Sequence, residues 1–396
     1  METIECLDRK KCTGCSLCAQ ICPKNAIIME KDKEGFSMPK INKEKCINCG
    51  LCYKKCPQLY EEELKDKKVK KAYAAKNKDV DIQKKSTSGG IFNLIAENII
   101  SKKGIIYGCA FDHNMVANHI RIESNEELDI LRGSKYVQSN INNTYKMAKE
   151  DLKKGKPVLY TGTPCQIEGL KKYIDTNDEN LITIDLVCHG VPSPKLFEKY
   201  IKYIEKKENS KVVNYEFRNK EKNGWGSNVK IEFENGKKRY IKGSLDSYNK
   251  TFYAAKAFRE SCYNCKYAKK ERVGDITLCD YWGIGNELPE FEDYNGVSGI
   301  IVNTIKGQDI LEEISNKILL KESSVESIAK YNQNLNEPVS RPRERDNIYK
   351  EIDKKDYKRY MKENLKFKID IKDVIGSVLN YKLKKRIKKV LKGIKK

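Results

Sequence analysis

The chain has 396 residues, 39% hydrophobic and 34% charged, with 78 Lys and Arg against 56 Asp and Glu. That length allows two or three domains with buried cores, and no run of 18 or more apolar residues exists to cross a bilayer. Met1-Glu2-Thr3-Ile4-Glu5 lacks the apolar segment of a secretory signal, so the expected location is the cytoplasm. The net charge of +22 points to an anionic partner without choosing one. In a reducing compartment the 15 cysteines read as metal ligands or redox groups rather than disulfides.

Residues 1–60 carry the densest signal. Cys12, Cys15, Cys18 and Cys22-Pro23 follow the spacing C-x2-C-x2-C-x3-C-P, and Cys46, Cys49, Cys52 and Cys56-Pro57 repeat it. This is the pattern of two [4Fe-4S] clusters in a bacterial-type ferredoxin, where the fourth cysteine of each run serves the other cluster. One cluster is expected on Cys12, Cys15, Cys18 and Cys56, the other on Cys46, Cys49, Cys52 and Cys22. A zinc ribbon is the competing reading, but it uses two Cys pairs and not two four-Cys runs closed by Pro. Gly14 and Gly50 let the backbone pass close to sulfur, and 35–41 reads as a short strand.

Residues 61–85, acidic and then lysine-rich, read as a linker. From 86 to 345 strands and helices alternate, as in an α/β domain. Ser86-Thr87-Ser88-Gly89-Gly90 precedes an apolar helical start, an arrangement that suits a phosphate or merely a cap. Residues 104–111 read as a buried strand. Two later strands, 157–160 and 181–187, run into Thr163-Pro164-Cys165 and Cys188-His189-Gly190. Each places a cysteine past the carboxyl end of a strand, where open α/β sheets bind ligands. With Cys262-Tyr263-Asn264-Cys265 they could close around a third [4Fe-4S] cluster, or they are small buried hydrophobes. Burial is the default for Cys6, Cys109 and Cys279. Residues 211–245 form a β-rich insertion with an Asn235-Gly236 hairpin. Asp280-Tyr281-Trp282 reads as core, with the indole a candidate neighbour of a cofactor ring. Residues 346–396 read as a basic helical tail. Its last part, 380–396, holds nine Lys or Arg and no acid, a candidate amphipathic helix for an anionic membrane surface or a solvated end.

Taken together, these segments resemble the beta-subunit family of the coenzyme F420-reducing hydrogenases and dehydrogenases. The resemblance covers about residues 10–320. It rests on the double cysteine run, Ser88-Gly89-Gly90, Arg132-Gly133-Ser134-Lys135-Tyr136-Val137-Gln138-Ser139 and Gly162-Thr163-Pro164-Cys165-Gln166. Cys188-His189-Gly190, Cys262-x-x-Cys265-x-Tyr267-Ala268 and Gly274-Asp275-Ile276-Thr277 complete it. It implies FAD in the large domain beside a [4Fe-4S] cluster held by Cys165, Cys188, Cys262 and Cys265. It also implies a flavin lined by Ser88, Gly89, Gly90, Gly133, Ser134, Lys135 and Tyr136, with Lys135 near its phosphates or ring. Thr163, Pro164 and Asp275 are expected close to the isoalloxazine. Cys279 departs from the family pattern, which has glycine there.

The fold class expected is therefore α+β with an α/β core: a ferredoxin-like domain, then a larger α/β flavin-binding domain with a β-hairpin insertion and a helical tail. The activity implied is electron transfer between [4Fe-4S] clusters and FAD. Hydride would be exchanged with a deazaflavin of the coenzyme F420 type or another conjugated small molecule, as in relatives attached to surface-polysaccharide pathways. His189 is the candidate proton relay, a backbone-bonded loop histidine being the alternative. Expected partners are a redox protein or soluble ferredoxin. The competing class is a non-catalytic electron-transfer subunit. A nucleic-acid role is disfavoured, since no recognised motif supports it.

Overall fold

The computed structural model describes residues 2–59, 70–371 and 373–374; the segment 380–396, read as a basic amphipathic helix, lies outside them. Thirteen strands are described: β1 (Ile27–Lys31), β2 (Ser37–Ile41), β3 (Lys71–Asn77), β4 (Ile105–Phe111), β5 (Ala117–Ile122), β6 (Val158–Gly162), β7 (Leu181–Leu186), β8 (Val212–Glu216), β9 (Asn228–Phe233), β10 (Lys238–Lys242), β11 (Ile276–Asp280), β12 (Ser298–Val302) and β13 (Ile318–Ser323).

The N-terminal part is small and built around its cysteines. Each Cys run enters a short helix, Leu17–Ile21 and Leu51–Lys54, through a left-handed residue, Ser16 (φ 64°) and Gly50 (φ 72°). Gly takes that conformation without a Cβ penalty. β1 and β2 pair antiparallel beside them, and Cys12, Cys18, Cys52 and Cys56 are buried with Ile4, Leu7, Ile27 and Met38.

The large part is an eight-stranded sheet in the order β13-β3-β12-β11-β7-β6-β4-β5. Its centre, β11-β7-β6-β4, is parallel, and β5, β12, β3 and β13 extend it antiparallel. The continuous apolar runs of β4, β6 and β7 fit central strands covered on both faces. Ile106, Leu159 and Ile182 face the helices Ile91–Ser101 and Ile305–Glu313. Tyr107, Tyr160 and Leu181 face the helices Thr144–Lys153 and Pro164–Ile174. A three-stranded sheet, β10-β9-β8, packs with the helix Pro194–Glu208 into a separate aromatic core. The expected hairpin is β9–β10.

Two boundaries differ from the sequence reading. Residues 71–85 are not linker: they form β3, inside the sheet between β12 and β13, and the helix Val80–Lys85. Lysines and alanines hide the strand, because Ala72, Ala74, Ala75 and Asn77 are buried although the residues themselves are small or polar. Likewise, 346–365 is not a tail. Ile348, Ile352, Tyr357, Tyr360 and Leu365 complete the aromatic core. At its start Arg345, fully buried, donates to Phe258 O at 2.7 Å and forms a bidentate pair with Glu34 of the β1–β2 turn at 2.6 and 3.0 Å. This clamp joins the first and last thirds of the chain. Arg345→Met is expected to cost about 2 kcal/mol, read as a lowered melting temperature together with faster proteolysis in the region 30–40.

Candidate functional site

The thiols gather into three groups. Cys12, Cys18 and Cys56 all bear electrostatically on one another and on Cys15. Cys22 and Cys49 bear on Cys52, and an open hollow of about 350 Å³ is lined by Cys22, Cys46, Cys49 and Cys52. Cys56 thus stands near Cys12, Cys15 and Cys18, and Cys22 lines one hollow with Cys46, Cys49 and Cys52. Among the described residues no three His, Cys, Asp or Glu converge on a single-ion site.

The third group comes from three places on the sheet's carboxyl edge. Cys165 sits in the first turn of the helix Pro164–Ile174, just past β6. Cys188 follows β7, Cys262 lies within the short helix Glu260–Asn264, and Cys265 follows its last residue. That helix is fastened over Cys188 by the Pro192–Phe258 bridge and by Arg259 N donating to Val191 O at 3.0 Å. Cys188 and Cys265 bear on Cys165, and Cys262 and Cys265 on Cys188. Burial, and after it the neighbouring thiols, push the Cys188 and Cys262 thiols up to about 12. Cys15 rises to about 12 for the same reasons. Four such thiols crowded out of water form a donor set that a cationic iron centre satisfies.

The first and third groups touch. Cys15 also bears on Cys165. A Cβ at Gly169, one turn beyond Cys165 on the same helix, would meet Cys15 Cβ at 3.2 Å and Sγ at 3.3 Å. Gly169 therefore sets how closely the N-terminal part can dock. Gln20 Oε1 accepts from Tyr145 N at 3.1 Å, Gln58 Nε2 donates to Tyr267 Oη at 3.2 Å, and Lys55 pairs with Asp175 at 2.6 Å across the same seam.

The turn that carries Cys165 is held by a polar chain the sequence reading left out. Thr163 N donates to Gln166 Oε1 at 2.9 Å, and Gln166 Nε2 donates to Ser139 Oγ at 3.0 Å. Ser139 donates to His119 Nδ1 at 3.0 Å, which leaves Nε2–H to donate to Thr161 O at 3.1 Å. His119 is buried, and burial pulls its pKa down to about 4. The only advance signal was its place in an alternating strand.

The residues expected around a flavin occupy the neighbouring edge. Gly90 (φ 83°) begins the helix Ile91–Ser101 with no side-chain cap, so its first N–H groups have no side-chain acceptor. Thr87 Oγ1 accepts from Ser134 N at 3.0 Å, which joins this turn to Gly133–Tyr136. Gly133 (φ 79°) has open space where a Cβ would stand. Ser88 and Gly89 are fixed from behind: Ser88 Oγ donates to Val297 O at 2.8 Å and Gly89 N to Ser298 Oγ at 2.9 Å. Tyr136 stacks on Phe252 at 4.1 Å. His189 lies edge-on to Phe252 and Phe258, its Nε2 3.4 Å from Tyr253 O and its Nδ1 3.2 Å from Asn334 Oδ1.

Two expected contacts stand elsewhere. Lys135 is not aimed at this edge. It is half-buried, and its Nζ donates to Ile130, Leu131 and Arg132 carbonyls at 3.1, 3.1 and 2.7 Å, closing the helix Leu128–Leu131. Burial lowers its pKa to about 8. Asp275 is held inside the sheet, accepting from Thr183 N at 2.8 Å, Thr183 Oγ1 at 2.6 Å and Thr304 Oγ1 at 2.9 Å. Cys279 is accommodated by its ladder partner: a Cβ at Gly299 would meet Cys279 Sγ at 2.7 Å. The Trp282 indole is partly exposed and stacks on Trp225 at 4.7 Å. Beside it, Arg218 forms a buried bidentate pair with Asp280 at 2.8 and 3.1 Å and reaches Tyr136 Oη at 3.1 Å.

This combination is an iron–sulfur oxidoreductase architecture, and the comparisons agree with it. Residues 155–328 match the family model for the C terminus of the beta subunit of coenzyme F420 hydrogenase/dehydrogenase, and residues 11–59 and 38–87 match 4Fe-4S dicluster domain models. Residues 155–328 are thus similar to the C-terminal domain of that beta subunit, behind a stretch similar to 4Fe-4S dicluster domains. Among solved structures it is similar to a chain of the F420-reducing [NiFe] hydrogenase complex from Methanosarcina barkeri, 17% identical over 69% of this chain and 93% of that one, with a TM-score of 0.45. No curated protein matches it. No helix among the described residues is long and apolar enough to cross a membrane.

The His119 chain makes a pH prediction. A histidine whose folded pKa lies below its unfolded value near 6.5 contributes stability above that pH and loses it as pH falls toward about 4. Denaturant unfolding between pH 8 and 4 should show this loss in the wild-type chain. His119→Phe should show a smaller loss over the same window, from a lower starting stability.

Proposed function

We propose that the chain is an iron–sulfur flavoprotein oxidoreductase with three [4Fe-4S] sites and one FAD site. The observation that carries this is the approach of the first thiol group to the helix that bears Cys165, Cys15 lying against Gly169 and bearing on Cys165; the uncapped N-terminus of the helix Ile91–Ser101 supports the FAD site. Cys12, Cys15, Cys18 and Cys56 would hold one cluster, Cys46, Cys49, Cys52 and Cys22 the second, and Cys165, Cys188, Cys262 and Cys265 the third. When bound, the clusters supply one-electron transfer and FAD the exchange between one- and two-electron chemistry.

The chain's own residues position and insulate. Gly89, Gly90 and the free N–H groups of Ile91–Ser101 suit the flavin's pyrophosphate, with Gly133 and Ser134 alongside. Tyr136, backed by Phe252, offers a flat apolar face for the ring system. Thr163 and Pro164 fix Cys165 at the helix start, and Thr163 Oγ1 lies 3.2 Å from its Sγ. Lys135 and Asp275 hold the frame rather than the ligand. His189, next to Cys188 and engaged at both nitrogens, holds a proton at Nε2 facing Tyr253 O and can move it toward the flavin edge.

The physiological partners on this reading are a redox protein or soluble ferredoxin and a small hydride donor or acceptor. That molecule is a coenzyme F420-like deazaflavin or another conjugated compound. Work at the inner face of the membrane would need the segment 380–396. Anaerobically purified protein should contain about 12 iron atoms and one flavin per chain. Cys165→Ser should lower iron to about 8, abolish turnover and leave the two N-terminal EPR signals. About 8 iron atoms and no flavin in the wild type would refute the assignment beyond residue 60.

A further inference from the structure

Four arginines are buried in the described structure: Arg218, Arg259, Arg272 and Arg345. Three have a carboxylate partner. Arg218 meets Asp280 at 2.8 Å, Arg272 meets Asp185 at 3.4 Å and Arg345 meets Glu34 at 2.6 Å. Arg259, 3% exposed, has none among the described residues. Its Nε donates to Cys12 O at 2.6 Å, its Nη1 to Gln138 Oε1 at 3.3 Å and its Nη2 to Ser37 O at 3.0 Å, all neutral acceptors. Burying a guanidinium without a counter-charge costs several kcal/mol.

Its position identifies what balances it. On one side the guanidinium rests on the backbone of Cys12, in the first thiol group. On the other, Arg259 O accepts from Cys262 N at 2.9 Å, and the Arg259 charge draws the Cys262 thiol down. A Cβ at Gly14 would meet Arg259 Nη1 at 2.9 Å, so the turn between Cys12 and Cys15 is shaped to admit it. Arg259 therefore stands in the seam between the two groups, with no carboxylate partner among the described residues and the thiol groups beside it.

We infer that Arg259 is the shared counter-cation of the first and third iron–sulfur sites and raises the reduction potential of both. It is a positioning residue, and the inference rests on the three-cluster reading above. A fixed buried cation stabilises the state with one more electron, so its removal lowers the potential. The second group, opening on the far hollow lined by Thr3 and Lys24, serves as the internal control.

The test compares wild type, Arg259→Met and Arg259→Lys, purified without oxygen. Iron is counted first, and each EPR signal is then titrated for its midpoint potential. Cys49→Ser and Cys165→Ser assign the signals. In Arg259→Met the signals of the first and third sites should shift to lower potential, or their iron be lost, while the second site stays in place. Arg259→Lys should restore potential and iron toward wild type. Unshifted potentials in a fully loaded Arg259→Met protein would overturn the inference. So would an Arg259→Lys protein that behaves like Arg259→Met, since hydrogen bonding rather than charge would then be the cause. A wild type with no third signal overturns the functional reading and this inference with it, and shows itself before any variant is compared.

Discussion

Electron transfer between buried centres requires close approach, and in this chain that approach is set by a missing side chain. Gly169 lets Cys15 lie against the helix that begins at Cys165. A β-carbon there would crowd Tyr145 Oη at 3.0 Å and Cys15 at 3.2–3.3 Å, so a neighbour would have to give by a few tenths of an ångström. The remaining contacts of the seam follow from this docking. Gln20 caps the Tyr145 end of a neighbouring helix, Gln58 reaches Tyr267, and Arg345 reaches across to Glu34. None of these polar contacts would be in register if the backbones stood farther apart. The seam joins polar bridges and close glycine contacts at Gly14, Gly35 and Gly169 to apolar packing of Leu17 and Phe36 into the cores of the large part.

The N-terminal thiol groups were legible because their information is local. Spacing within a dozen residues, closed by proline, specifies two crossed sets without any knowledge of the rest of the fold. The third set was only half legible. Cys165 and Cys188 could be placed at strand ends from the strand–turn–helix pattern, but nothing in the sequence shows that the 258–265 segment folds back over β7. That depends on a single bridge between Pro192 and Phe258. The boundaries failed where composition misleads. β3 is Lys- and Ala-rich yet lies inside a sheet, and the tyrosines and isoleucines of 346–365 look sparse among charges yet all reach one core. Lys135 shows the same limit for a side chain. Its motif was visible, but its target, three carbonyls at the end of a four-residue helix, was not.

Charge in the interior follows one rule with one instructive exception. Buried guanidinium groups are matched to carboxylates wherever they brace protein against protein. The unmatched one stands between cysteine groups. Similar economy governs Cys279, whose sulfur occupies the volume left by Gly299 on the adjacent strand. A glycine expected at one ladder position has moved to its neighbour, and the close packing of β11 on β12 is preserved.

The three thiol groups differ in their access to water. The hollow lined by Cys22, Cys46, Cys49 and Cys52 opens outward, and Cys49 is exposed. Cys12, Cys18 and Cys56 of the first group are buried, and Cys15 and the four thiols of the third group are half-buried. On the three-cluster assignment proposed above, a cluster in the outer group would stand nearest the solvent and would be the first to meet dioxygen.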